Sequence, residues 1–182
     1  MSSQSNRGSE GYLQQIPEFV PRPEMEPLNF LLGGWSGSTI VYPDNGVGPG
    51  MVGEIVGEIR PSLDGAFYEW HYTHRPSLQE SLIRRARYSF GYSGGHDRLI
   101  ALYADDHGNA FTEIAGARNW INERLAFAGD MSMRGRGDVS FVDEFTRISA
   151  NEFKNTVTMT IAGRSHLHGV LEVRRTAGWP LS

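Results

Sequence analysis

Cysteine is absent from the 182 residues. That excludes a disulfide framework, a thiolate nucleophile and any cysteine-ligated zinc or iron–sulfur site. Long hydrophobic runs are absent too: none approaches the roughly 18 apolar residues of a membrane-spanning helix. The opening stretch MSSQSNRGSEGYLQQIPEFVPRPEMEP lacks the apolar core of a signal peptide. Positive charge is in short supply, with 17 Lys and Arg against 21 Asp and Glu, a formal net charge of −4 and a pI near 5.9. A nucleic-acid partner needs a concentrated basic surface, so none is expected. These absences together describe an unprocessed cytoplasmic protein with neither a nucleic-acid nor a membrane partner.

Several chemical signatures are missing in a more specific sense. Gly48-Pro49-Gly50-Met51-Val52-Gly53 matches the dinucleotide fingerprint in spacing. It leads into a strand instead of opening a helix, so no helix terminus is there to cradle phosphate. No Gly-x-Ser-x-Gly elbow occurs, and Arg136-Gly137-Asp138 is a chance tripeptide in a glycine-rich turn. A ten-residue helical stripe is also lacking after Trp35.

What is present is the pattern of a β protein. Residues 28–42, LNFLLGGWSGSTIVY, run from a short apolar helical turn through Gly33-Gly34-Trp35 into a first strand. The glycines permit a tight entry, and Trp35 is placed to plug the closed end of a barrel. Strand-like runs follow at 35–42, 51–60, 66–74, 83–92, 98–104, 110–116, 120–128, 139–148, 153–161 and 167–175. Asp64-Gly65, Gly94-Gly95, Asp106-His107-Gly108 and Ala162-Gly163 fall between neighbours, where hairpins need residues that tolerate positive φ. The expectation is a single all-β domain over residues 28–182, an up-and-down antiparallel barrel of about ten strands, since closure removes exposed sheet edges. Residues 1–27, polar and then interrupted by Pro17, Pro21, Pro23 and Pro27, read as a tail and an extended arm able to cover the barrel mouth.

Alternation along the strands points to a chamber, but leaves its lining open. Tyr68, Trp70, Tyr72 and His74 share one strand face and Phe67, Glu69, His71 and Thr73 the other. Ala86, Tyr88, Phe90 and Tyr92 likewise oppose Ile83, Arg85, Arg87 and Ser89. An inward aromatic face makes a tyrosine-rich pocket, whereas an outward one makes a charged interior. Trp35, Tyr68, Trp70, Tyr72, Tyr88, Tyr103 and His168 are the candidate ligand-binding residues. For acid–base chemistry the plausible groups are Glu69, His71, Arg85, Arg87, Tyr88 and Glu113, among which Glu69, His71, Arg85 and Glu113 form the candidate catalytic set. Outward salt bridges to arginine are the structural alternative for Glu69 and Glu113. His166, His168 and Glu172 fall at i, i+2 and i+6, on one face of a regular strand, and the spacing is that of the first cupin motif. No second motif follows, so the pair is read as solvated or ligand-contacting, and no metal is assigned. His71 and His74 sit on opposite faces and cannot serve together.

From Leu28 to Arg175 the chain resembles the calycin superfamily, within it the fatty-acid-binding-protein-like barrels that include nitrobindins. Leu31-Leu32-Gly33-Gly34-Trp35-Ser36-Gly37 with Tyr42-Pro43 is similar to the nitrobindin opening, and Ser165 to Arg175 to the nitrobindin ending with its His-Leu and basic pairs. Phe90-Gly91-Tyr92 followed by Asp105-Asp106-His107-Gly108-Asn109 and Gly116 resembles a lipocalin-like family of largely unassigned activity. The nitrobindin resemblance implies haem on a last-strand histidine: the His-Leu pair selects His166, and counting back from Arg174-Arg175 selects His168. Beyond that implied haem no cofactor is expected. The leading expectation is binding of a small, largely apolar organic molecule. The alternatives are a cofactor-free isomerase or cyclase that folds a flexible substrate, and a haem protein. A homodimer is left open.

Overall fold

The computed structural model describes residues 23–43, 47–77, 83–133 and 137–176. Ten strands follow a 3-10 helix, Pro23–Leu31: β1 Gly33–Val41, β2 Met51–Ser62, β3 Phe67–Pro76, β4 Arg84–Ser93, β5 Arg98–Asp105, β6 Ala110–Ala115, β7 Arg124–Met133, β8 Gly137–Ser149, β9 Glu152–Ile161 and β10 Arg164–Arg175. Each strand pairs antiparallel with its sequence neighbours, and β10 returns to pair with β1, so the sheet closes as an up-and-down barrel. No helix among the described residues is long and apolar enough to cross a membrane. Residues 1–22, most of the arm expected to cover the mouth, lie outside the described residues.

The turn chemistry accounts for most strand ends. Asp64 and Gly65, Gly108, and Ala162 and Gly163 all carry positive φ. Between β4 and β5 the positive-φ residue is Asp97 rather than Gly94 or Gly95, and Asp97 accepts the Tyr92 hydroxyl. The largest boundary difference is at β7, which begins at Arg124 instead of Trp120. Asn122 and Glu123 both sit at positive φ and turn the chain between Ile121 and Arg124, which form an isolated bridge. Trp120 is thereby released from the sheet, and its Nε1 donates to Pro27 O on the 3-10 helix at 2.7 Å.

One end of the barrel is closed by apolar packing. Met25, Leu28 and Leu31 of the 3-10 helix are buried against Trp35, Phe90, Phe127, Phe145 and Phe153. Trp35 does plug this end: it lies 4.7 Å from Phe153, centroid to centroid, and its Nε1 donates to Leu31 O at 2.6 Å. Arg175, at the end of β10, clamps the plug in place. It donates to the carbonyls of Leu32 and Phe30, and its guanidinium lies 4.4 Å from the centre of the Trp35 ring. Arg147 lies 4.5 Å from Phe30 and 4.8 Å from Trp120 on the same side. Gly37 is required by close approach, because a Cβ there would run into the Glu172 carbonyl of β10.

Arg175→Ala removes three carbonyl hydrogen bonds, to Leu32, Phe30 and Ala150, and one cation–π contact, an expected loss of about 2–3 kcal/mol. Urea denaturation measures it. Arg175→Lys keeps the charge without the planar fork and is expected to recover less than half of the loss.

Candidate functional site

The aromatic face of β3 and β4 points inward. Trp70 pairs with Tyr88, Tyr88 with Tyr103 and Tyr103 with Phe111, so one cross-strand rung from β3 to β6 is entirely aromatic. Phe111 stacks on Phe141 of β8 at 4.9 Å and 11°. Above the plugged end these rings wall a cavity of about 590 Å³ that reaches the opposite end of the barrel, where Tyr42, Pro43, Pro49, His107 and Asn109 form its rim. Ile55, Val157, Met159 and Leu171 complete the apolar wall, and Thr39, Asp143, Asn155 and His168 contribute polar groups.

Of the candidate ligand-binding residues, Trp70, Tyr72, Tyr88, Tyr103 and His168 line this chamber. Trp35 and Tyr68 do not. Trp35 belongs to the plug, and Tyr68 donates its hydroxyl to Asn29 of the 3-10 helix. The candidate catalytic set divides in the same way. Glu69 and His71 lie on the outer wall and pair with each other at 3.0 Å; that bond, with Ser62 and the Arg87 charge, outweighs burial and holds the Glu69 carboxyl below its usual range. Arg85 is exposed, as is Arg87, on the same outward parity. Glu113 alone of the four is inside, fully buried.

Glu113 does not stand alone. Asp143 of β8, also buried, lies beside it with Tyr88 next to both carboxyls, and neither Glu113 oxygen nor Asp143 Oδ2 has a hydrogen-bond partner among the described residues. Gly129 lies on β7 between them, paired with Glu113, and a Cβ at Gly129 would sit 3.0 Å from Glu113 Cγ. A side chain there would crowd Glu113 and the Thr112 carbonyl. Two carboxylates this close in an apolar surround cannot both ionise cheaply, so the pair favours holding a proton. Burial, then the neighbouring Asp143 charge, push Glu113 up to about 10, and burial raises Asp143 as well. Asn155 Nδ2 donates to Asp143 Oδ1 at 3.1 Å. Sequence reasoning missed Asp143, although its place between the inward residues Phe141 and Phe145 marks it as a carboxylate on an apolar face.

A second polar group stands nearer the mouth. Asp105 receives Tyr103 Oη and Asn109 Nδ2, both at 2.9 Å, and lies 3.8 Å from Arg84 Nε. Burial alone would raise its pKa, but the Asn109 bonds, Tyr103 and Arg84 outweigh it and hold the carboxyl below its usual range. Tyr72 and Tyr103 are both driven upward, chiefly by burial, and remain neutral phenols. His74 is pushed down by burial and by Arg84.

The last strand corrects one reading. Pairing between β10 and β9 shifts register between Leu167 and Gly169, a bulge with His168 as the extra residue. Parity inverts there: His166 shares the face of buried Met159, His168 and Gly169 line the chamber, and Glu172 points outward to Lys154 at 3.5 Å. The two histidines and Glu172 therefore do not share a face, and no group able to hold a metal ion occurs among the described residues. Of the two histidines that the nitrobindin resemblance left open, His168 is the one in the chamber wall, 6.5 Å from Phe141.

The carboxyl pair binds more protons folded than unfolded between the ordinary Glu range and about 10, so stability falls as pH rises through that window. The expected slope is up to about 1.4 kcal/mol per pH unit for one proton. Glu113→Gln should flatten the profile and raise stability above neutrality, measured by denaturant unfolding across pH.

No protein-family model matches the chain, and no curated protein matches it. Among solved structures, the crystal structure of Rv2717c from M. tuberculosis is similar with a TM-score of 0.63 at 12% identity, covering 86% of this chain and 99% of that one. That likeness is one of fold alone.

Proposed function

We propose that the protein binds a small, largely apolar organic molecule in the barrel chamber. The observation that carries this reading is the cavity of about 590 Å³ between an aromatic wall and a polar floor. Its size lies within the roughly 300–1,000 Å³ of small-molecule sites, and its lining of hydrophobic rings with a few placed polar groups is their usual composition. A barrel meant only to be filled would bring side chains into this space, as the plugged end does.

Native mass spectrometry and titration with an environment-sensitive apolar fluorophore test the reading. One fluorophore per chain is expected, and Leu171→Trp, which fills the wall, should weaken binding about tenfold or more. Unchanged affinity in that variant overturns the chamber as the site. Haemin titration is read alongside. A Soret band lost in His168→Ala would make haem the occupant, and its absence leaves the organic ligand.

A second reading rests on the Glu113–Asp143 pair. A protonated carboxyl beside Tyr88 in an apolar chamber suits acid–base work, so a cofactor-free isomerase or cyclase is the catalytic form of the same site. In assays on polyene or polyketide-like substrates, Glu113→Gln should abolish any change in product ratio while leaving fluorophore binding intact. A ratio equal to that in buffer for the unmodified protein removes the catalytic form.

A further inference from the structure

Among the described residues, no cation faces the acidic groups at the chamber floor. Asp143 and Glu113 are 1% and 0% exposed, and the groups that face them are Tyr88 of β4, Asn155 of β9 and, along the wall, the phenols Tyr72 and Tyr103. Arg84, which also lines the chamber, stands near the mouth with Asp105, 3.8 Å away. His74 is held toward its neutral form, and His107 and His168 belong to the mouth half of the wall. Asn155 occupies Asp143 Oδ1, whereas Asp143 Oδ2 has no hydrogen-bond partner.

A separate observation comes from Trp70. Its indole is 1% exposed and lines the same chamber, yet Nε1 has no acceptor. A buried N–H of this kind is normally satisfied, because leaving it unpaired forfeits its hydration without return. The chamber therefore offers an acceptor that lacks a cation and a donor that lacks an acceptor, between aromatic faces that attract positive charge.

We propose that the ligand is a cationic amine, whose nitrogen docks on Asp143, whose oxygen acceptor takes the Trp70 N–H, and whose hydrocarbon body lies against Tyr72, Tyr88 and Tyr103. This rests on the chamber being a binding site. The ammonium replaces a proton of the carboxyl pair as its countercharge, and that proton leaves to solvent. Aromatic faces add attraction without a hydrogen bond, so a quaternary nitrogen is accepted as well as a protonated one.

Isothermal titration with a shape-matched pair tests the charge: benzyltrimethylammonium against neopentylbenzene, at neutral pH. The cation is expected to bind about tenfold tighter, with an observed heat that depends on buffer ionisation enthalpy because a proton is released. Asp143→Asn should erase both the preference and the proton release. Choline phenyl ether should outbind its methylene analogue, and Trp70→Phe should remove that advantage alone. Equal or tighter binding of the neutral hydrocarbon overturns the cationic ligand and leaves the chamber reading standing. If neither probe binds and the apolar fluorophore also fails, the chamber reading falls and this inference with it. The comparison in the unmodified protein needs no variant to fold.

Discussion

Pairing of β10 with β1 is the contact on which the interior depends. Until Trp35 to Val41 meet Arg175 to Gly169, the sheet has two open edges and its concave face is merely one side of a ribbon. Gly37 lets the two backbones approach, and Arg175, at the last rung, reaches across to hold the 3-10 helix. The residue that completes the cylinder thus also seals its end. Closure of the wall and closure of the bottom are one event in the same few residues.

The sealed half stabilises what the open half costs. Around Trp35, Phe90, Phe127, Phe145 and Phe153 no carboxylate interrupts the packing, and each such side chain contributes roughly 2–3 kcal/mol by leaving water. Higher in the barrel β6, β8 and β3 carry Glu113, Asp143 and an unpaired indole N–H, each of which is unfavourable when buried. A small barrel can tolerate such groups only if the rest of its interior is well packed. The aromatic plug supplies that, so the chamber polarity and the dryness of the bottom belong together.

Much of the architecture was legible because antiparallel hairpins advertise themselves twice, once in alternation and once in turn residues. All ten strands were placed, with the largest boundary difference at β7, where Trp120 and Ile121 look strand-like and nothing local forecasts positive φ at Asn122 and Glu123. Which face turns inward was not legible. Glu69, His71 and Arg85 alternate as regularly as Tyr68, Trp70 and Tyr72, and only the register of the closed sheet separates outer wall from chamber. Pairing across three strands also sets Glu113 diagonal to Asp143, thirty positions apart: Gly129 pairs with Glu113 on one side and with Phe141, the next inward residue to Asp143, on the other. The bulge at His168 was invisible for a related reason: one extra residue reverses every inference from parity on one side of it.

That bulge has a mechanical consequence for the rim. The ladder with β1 covers only Gly169 to Arg175, and its last rung is capped by Tyr42 N donating to His168 O at 2.8 Å. Beyond it, Arg164 to Leu167 are paired with β9 alone among the described residues. The β9–β10 hairpin tip therefore projects past the closing ladder as an overhang, and one extra residue at His168 sets where the closed wall ends and the overhang begins.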